Sequence, residues 1–440
     1  MAEPVRPSYA ALFRNRNYLR VFSAGLGSVA GSAITAVCLV WLVAETTGSA
    51  VDVALLATSW VVSALVFSVF GGTLVDRYDR RRLMIGSDVA RAVALGAVTV
   101  ELAVHGFDLV SLLTAYAVVG AFTTIFNPAE QAIIPQIVGA IQVADANGLV
   151  RSSRSALQFA GAAVAGGLLV SVGPVAGLAA NAATFALSAV LLTGMRIPRG
   201  EVRRQGVARP SYFSDVAGGF RWLWGARGFF QLTLSATFFN FCSTVVGTFL
   251  VFFATLVLHG GALDYALLLA SLVAGSGLGA LLVGRVGAVR WAGPAWTVPY
   301  GVVSGAVVLV MALWPSFPLG IVAMFALGAL GGFAGTAWLS AAQLLVPPEM
   351  QGRYFGVDNL GSIAILPAAQ IGGAFLVADY GPRTTYLVMG VLWVAAGAVF
   401  LVPRSLRELG YRPGEAPDVT LRSDGDVAGT SVSPGGTRGA

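Results

Sequence analysis

Gly71-Gly72-Thr73-Leu74-Val75-Asp76-Arg77-Tyr78-Asp79-Arg80-Arg81-Arg82 lies between two apolar runs, one ending at Phe70 and the next opening at Leu83. Four arginines crowd into a connector too short to be a domain. In a chain that crosses a membrane repeatedly, Arg and Lys collect in short cytoplasmic loops. This stretch therefore predicts a cytoplasmic turn between two membrane helices, and the rest of the chain can be oriented from it.

Composition supports that reading. Of 440 residues, 56% are hydrophobic and only 11% charged, with a mean hydropathy of +0.79. A soluble domain carries about 25% charged residues, so lipid must be the main solvent here. Every basic residue other than the two histidines is arginine. A phosphate-binding loop of the Walker type, which needs lysine, is excluded. The net charge of +6 does not point to nucleic acid, because the arginines are scattered through short loops. Cys38 and Cys242 each fall inside a long apolar run and read as small packing residues. The polar, basic stretch Ala2 to Asn17 does not read as a cleavable signal peptide.

Apolar windows of about 20 residues, enough for a membrane helix, fall at 20–44, 51–73, 83–104, 108–134, 151–172 and 174–194. A second set falls at 228–258, 262–284, 291–313, 316–341, 353–378 and 382–402. The expected fold class is an all-α membrane protein, twelve helices in two pseudo-symmetric six-helix bundles. The chain divides into a cytoplasmic N-terminal segment (1–19), a first bundle (20–194), a connector (195–227), a second bundle (228–402) and a disordered cytoplasmic tail (403–440), rich in Gly, Pro and Ser. Arg6, Arg14, Arg16, Arg77 to Arg82, Arg151, Arg154, the connector arginines, Arg285, Arg290, Arg353 and Arg404 fall on one side, and only Arg383 on the other. Both termini are expected in the cytoplasm of a bacterial inner membrane.

The halves also repeat. Ile134-Pro135 leads to Gly166-Gly167 and Gly173-Pro174, as Val346-Pro347 leads to Gly372-Gly373 and Gly381-Pro382. Repeated halves are how many secondary transporters are built, with substrate bound between them. Within the connector, Tyr212 to Trp224 places aromatic and aliphatic residues at helical spacing, which predicts an amphipathic helix on the inner membrane surface.

Here the chain, over roughly residues 10–405, resembles a major facilitator superfamily transporter. The segment Gly72-x-Leu74-Val75-Asp76-Arg77-x-x-Arg80-Arg81 resembles the family signature between helices 2 and 3. The Asp-Arg-Tyr-Asp-Arg-Arg-Arg form, Gly219-Phe220-Arg221-Trp222-Leu223 and Gln351-Gly352-Arg353 resemble the drug- and siderophore-exporting branch that includes the enterobactin exporter. The resemblance implies a conformational latch of Gly72, Asp76, Arg77, Arg80 and Arg81. In it, Asp76 approaches the start of helix 11 near Gly352, and Arg80 helps hold the halves together on the cytoplasmic side. The latch would close in the outward-facing state and release as the halves rock. Two positions depart from the family pattern: Asp79 stands where glycine is common, and Gly161 to Gly167 lacks the proline of the antiporters' helix 5 motif.

Ionisable groups inside a membrane are costly and usually functional. Asp88 and Arg91, one turn apart, can neutralise each other; Glu130 and Asp358 are the better candidates for proton coupling, with a structural pair at the interface as the alternative for each. Trp41, Phe122, Phe126, Asn127, Gln158, Asn240, Phe241, Trp338 and Gln343 are the candidate lining of a substrate cavity. The glycine runs Gly275 to Gly279 and Gly328 to Gly335 lack a preceding strand, so they predict close helix packing rather than a nucleotide loop. His105 and His259 have no metal-ligand spacing, no catalytic residue is identified, and neither cofactor nor metal is expected. The expectation is a non-enzymatic secondary transporter, working as a monomer in the lipid bilayer. It exports a small amphiphilic drug, siderophore or metabolite by alternating access and proton antiport. The alternatives are a non-transporting sensor or scaffold of the same fold, and a nutrient uptake transporter.

Overall fold

The computed structural model describes residues 9–139, 142–195, 212–286 and 296–400. These are helical almost throughout. A short helix, Tyr9–Arg14, precedes α1 (Arg16–Thr47), α2 (Ala50–Arg77), α3 (Arg80–Val104), α4 (Leu109–Ile137), α5 (Val143–Ser171) and α6 (Pro174–Thr193). A connector helix, Tyr212–Gly225, follows. In the second half, α7 runs over Arg227–Thr248, resumes at Leu250–Phe252 and ends in a π-helical turn, Phe253–Val257. Then come α8 (Ala262–Val286), α9 (a π-helical Trp296–Val303 continuing as Ser304–Leu313) and α10 (Phe317–Leu345). The segment Pro348–Phe400 is two helices joined at Gly381, α11 before it and α12 after it.

Nine of the described helices are long and apolar enough to cross a membrane. One of the nine is the α11–α12 pair; α5 and α9 fall short of that test. Helix α5 begins at Val143, earlier than its expected window at 151, because Asp145 and Asn147 in its first turns hide it from an apolar reading. The connector arginines Arg199 to Arg209 and the expected disordered tail lie outside the described residues.

The starts of the first four helices follow from side-chain caps. Asn15, Ser49, Asp79 and Asp108 each accept a backbone N–H of the first turn, at 3.0, 3.2, 2.8 and 2.8 Å. The departure at Asp79 thus has a local reason, since its carboxylate caps α3.

Internal duplication is visible in the backbone. Gly173 (φ 81°, ψ 172°) and Gly381 (φ 78°, ψ 163°) adopt the same left-sided conformation, each followed by a proline that opens the next helix. The α1–α2 and α7–α8 turns match too, with positive φ at Gly48 (63°) and His259 (54°). Small residues close the second bundle: a Cβ on Gly275 or Gly279 would strike the carbonyls of Phe325 and Ala329, and one on Gly328 or Gly332 those of Leu272 and Ser276. Two Gly-xxx-Gly faces therefore bring α8 and α10 into backbone contact, as the glycine runs predicted. Cys38 and Cys242 are buried and free, and a Cβ on Gly177 would meet the Cys38 sulfur.

The first half meets the second through α2 on α11 and α5 on α8. The named contacts across this boundary cluster at one end. Thr58 donates to Gln370 at 2.9 Å, Trp41 stacks on Tyr265 at 6.2 Å, and Gly166 packs on Ala266 and Leu263. A single apolar core joins both halves there, running from Val37 to Val43 through Phe249 to Ala254 and on to Tyr386. At the other end, which carries Arg14, Arg16, Arg20 and Arg80 to Arg82, the core splits. One cluster (Tyr18, Met84, Ile133, Leu192) belongs to the first half and a separate one (Leu223, Phe229, Val346, Tyr354) to the second. Among the described residues, the apolar core is continuous across the halves at the arginine-poor end and divided into separate clusters at the arginine-rich end.

Candidate functional site

Helix α3 places Asp88 and Arg91 one turn apart on its buried face, and they form an ion pair almost wholly shielded from solvent. Ser188 of α6 donates to the other Asp88 oxygen. The Arg91 guanidinium lies between the rings of Phe126 and Phe185, 4.5 and 4.4 Å from their centroids, and reaches the Thr123 hydroxyl at 3.3 Å. A desolvated cation over an aromatic face gains about 2 kcal/mol, and here two faces sandwich it. Phe126, expected to line a cavity, covers a buried charge. The placement has a physical origin: its helix turns that ring toward α3, where an otherwise costly guanidinium needs an apolar lid.

A second pair bridges helices. Arg154 of α5 binds Glu130 of α4, with Glu130 buried and Arg154 one-quarter exposed. Gly25 of α1 makes room for it, because a Cβ there would collide with Glu130 Oε1. Arg154 was one of the arginines used to orient the chain; it is turned into the bundle rather than out to the interface.

Asp358 is different. It is buried on α11 and accepts a long hydrogen bond, 3.4 Å, from Thr233 of α7. Around it stand Tyr354, Phe229 and Trp222, with ring centroids 5.3–5.8 Å apart. Phe355 and Trp338 extend the aromatic wall, at 6.3 Å. The connector helix docks beside this site: a Cβ on Gly219 would strike the Arg353 carbonyl and Val357, both 2.6 Å away. That helix buries Leu223 and leaves Phe220 and Trp224 exposed, so its apolar surface is shared between α11 and the surroundings.

Of the signature residues, Arg80 donates to the Ala132 carbonyl at 2.8 Å, and Arg81 to Leu192 at 2.9 Å and to Thr193. Both bond within the first half, so in this conformation Arg80 does not tie the halves together. The side chains of Gly72, Asp76 and Arg77 lie outside the described residues. The same C-terminal capping chemistry occurs at the opposite end, where Arg383 donates to Ala312 and Leu313 at 2.9 and 3.2 Å.

The expected cavity residues have different surroundings. Trp41 belongs to the arginine-poor end, where its indole donates to Glu45 at 2.7 Å. Gln343 is exposed near the close of α10, its carbonyl accepting from Gln351 at 2.8 Å. Phe122 and Asn127 of α4, Asn240 and Phe241 of α7 and Trp338 of α10 are half-buried, and Gln158 of α5 is exposed. Sequence reasoning missed Thr123, Ser188, Phe185, Thr233 and Tyr354. No group of three or more metal-ligating residues occurs among the described residues.

Comparison with known proteins agrees with this architecture. The chain is 25% identical over 412 residues to the multidrug efflux pump Tap of Mycobacterium tuberculosis H37Rv, covering 89% of this chain and 94% of the relative. It is 24% identical over 388 residues to macrolide efflux protein A of Streptococcus pyogenes, covering 87% and 94%. The crystal structure of the nucleoside transporter NupG superposes with a TM-score of 0.70 at 13% identity, covering 90% of this chain and 99% of that one, which speaks to the fold alone. Residues 21–369 match the Major Facilitator Superfamily, and the chain belongs to that family of membrane transporters.

Proposed function

We propose that this transporter exports a bulky amphiphilic compound of the macrolide type from the bacterial cytoplasm across the inner membrane, in exchange for protons. The observation that carries the reading is end-to-end similarity to two efflux pumps, spanning 94% of each. The arginines gathered at the end where the core divides support a cytoplasmic position for that end and for both termini. The conformation is then inward-facing, ready to load substrate from the cell or the inner leaflet. Alternating access closes the arginine-rich end and opens the arginine-poor one, breaking the Thr58–Gln370 and Trp41–Tyr265 contacts. In that closed state Asp76 meets the start of α11 and Arg80 exchanges its carbonyl partner for one across the boundary. The protein works as a monomer.

Accumulation of radiolabelled erythromycin in cells lacking other pumps tests this. Expression should lower accumulation, and a proton uncoupler should abolish the difference. Equal accumulation with and without the chain, across macrolides, tetracyclines and dyes, would remove the export reading in favour of a scaffold. Raised accumulation would favour uptake.

A further inference from the structure

Three buried carboxylates compete for the role of proton carrier, and their surroundings separate them. Asp88 is fixed by Arg91 on its own helix, by Ser188 and by two aromatic lids. Glu130 is fixed by Arg154. A carboxylate held by a guanidinium keeps its negative charge, since protonation would strand a buried cation. Asp358 has neither. Its hydrogen-bond donor is the neutral Thr233 hydroxyl, and the neighbouring Tyr354 hydroxyl lies beside Thr233 and the Trp338 indole.

On the elements packed against α11, the side chains of Asp76 and Arg77 of α2, Asp215 of the connector helix and Arg227 of α7 lie outside the described residues. Among the described groups, Tyr354, one turn away, faces Asp358. Arg353 runs along the connector helix, 3.5–3.6 Å from where a Cβ on Gly218 would stand, and reaches Met350. Arg221 of the connector is exposed. Arg383 of α12 caps α9 at the far end, and Asp52 sits in the first turn of α2, also at the far end. No described residue forms an ion pair with Asp358.

Burying a carboxylate without a counter-cation costs several kcal/mol, and a proton removes most of that cost. Position adds to chemistry. Asp358 lies ten residues into Pro348–Phe400, roughly 15 Å along the axis from the start of that helix. Its helix also packs on α2 across the boundary between halves and carries the connector helix one residue away, at Val357. A change of charge at this point therefore acts on an element that both halves share.

Resting on the antiport reading above, we propose that Asp358 is the proton-carrying group, with Thr233 and Tyr354 as its positioning residues, and that Asp88–Arg91 and Glu130–Arg154 are permanently charged pairs. When the site opens outward, an Asp358 carboxylate oxygen takes a proton from external water and becomes a neutral acid. When it opens inward, the same O–H gives its proton to cytoplasmic water and the carboxylate returns.

Infrared titration of the purified full chain tests this without a substrate. The carbonyl stretch of a buried protonated carboxyl should grow as pH falls. It should be lost in Asp358→Asn and retained in Asp358→Glu, Glu130→Gln and Asp88→Asn. Persistence of the whole band in Asp358→Asn, its loss in Glu130→Gln, or its absence from the wild type would each overturn the assignment. Thermal melting of each variant shows that it is folded. In proteoliposomes, Asp358→Asn should lose erythromycin accumulation driven by a pH gradient while erythromycin–erythromycin exchange persists. Loss of exchange as well would make Asp358 a substrate ligand and overturn the proposal. If the wild type ignores the pH gradient, the antiport reading fails, and the infrared band decides separately whether Asp358 holds a proton.

Discussion

The two halves share their turns but treat buried charge in opposite ways. In the first, Asp88 and Glu130 each hold a guanidinium, and the Arg91 cation is further roofed by Phe126 and Phe185. In the second, Asp358 has an alcohol, a phenol and aromatic walls. Yet the Gly-Pro turns at Gly173 and Gly381 agree within a few degrees in φ. Duplication therefore preserves what the backbone must do to reverse direction inside a membrane protein. Side-chain chemistry is free to diverge, and it diverges toward a half of paired charges and a half whose buried Asp358 has no cation beside it among the described residues.

The largest effect should come from breaking a fixed pair. Arg91→Leu leaves Asp88 buried without its cation, and breaking a buried pair costs about 3–5 kcal/mol. The thermal melting temperature of the detergent-solubilised protein should fall steeply. Adding Asp88→Asn to Arg91→Leu should recover much of the loss. A single variant that melts like wild type would mean the pair is solvated and the contrast between halves is false.

Packing gives the next effect. Gly328→Leu pushes a side chain into the Leu272 carbonyl, whereas Gly335 has nothing within 4 Å of its would-be Cβ. Overpacking costs about 1–3 kcal/mol, so Gly328→Leu should lower the melting temperature and Gly335→Leu should not. Equal behaviour would show that α8 and α10 are not in backbone contact.

Gly25→Ala probes the bridging pair more gently. The new methyl collides with Glu130 Oε1, while alanine gains about 1 kcal/mol of helix propensity over glycine. The net loss of stability should be small, on the order of 1 kcal/mol, because the exposed side of Arg154 can give way. A gain in stability would mean that Glu130 leaves its place at no cost.

Much of this was legible in the sequence, and the rest was hidden for definite reasons. Periodic apolar windows, the repeated Gly-Pro turns and the Gly-xxx-Gly faces are local signals; nine of the described helices are long and apolar enough to cross a membrane, and the turns and glycine faces each correspond to a described element. The Asp88–Arg91 pair was also readable, because residues three apart on a helix are neighbours. Arg154 was not readable as the partner of Glu130, since they stand 24 residues apart on different helices. The docking of the connector helix through Gly219 was hidden likewise: an amphipathic pattern says that one face is apolar, not what covers it. That Phe126 covers Arg91 and Trp41 stacks on Tyr265 was hidden too, because an aromatic ring in a membrane helix looks the same whether it faces substrate, a buried cation or the opposite half.

Asp358→Asn should have the smallest effect on stability, and that smallness sharpens the contrast. Asparagine keeps the shape of aspartate and an Oδ1 acceptor for the Thr233 hydroxyl. It removes only a charge that no described cation balances. If Asp358 spends its time neutral or pays for its charge alone, the melting temperature should stay level or rise, a change of no more than about 1 kcal/mol, the scale of one neutral hydrogen bond. Asp88→Asn offers the counterpart, because it strands Arg91 beneath two rings and should be clearly destabilising. Side by side, the two isosteric changes ask one question of each half: whether its carboxylate is there to hold a charge or to lose one. A fall in melting temperature for Asp358→Asn as large as for Asp88→Asn would reveal a cationic partner for Asp358, and the two halves would then be alike.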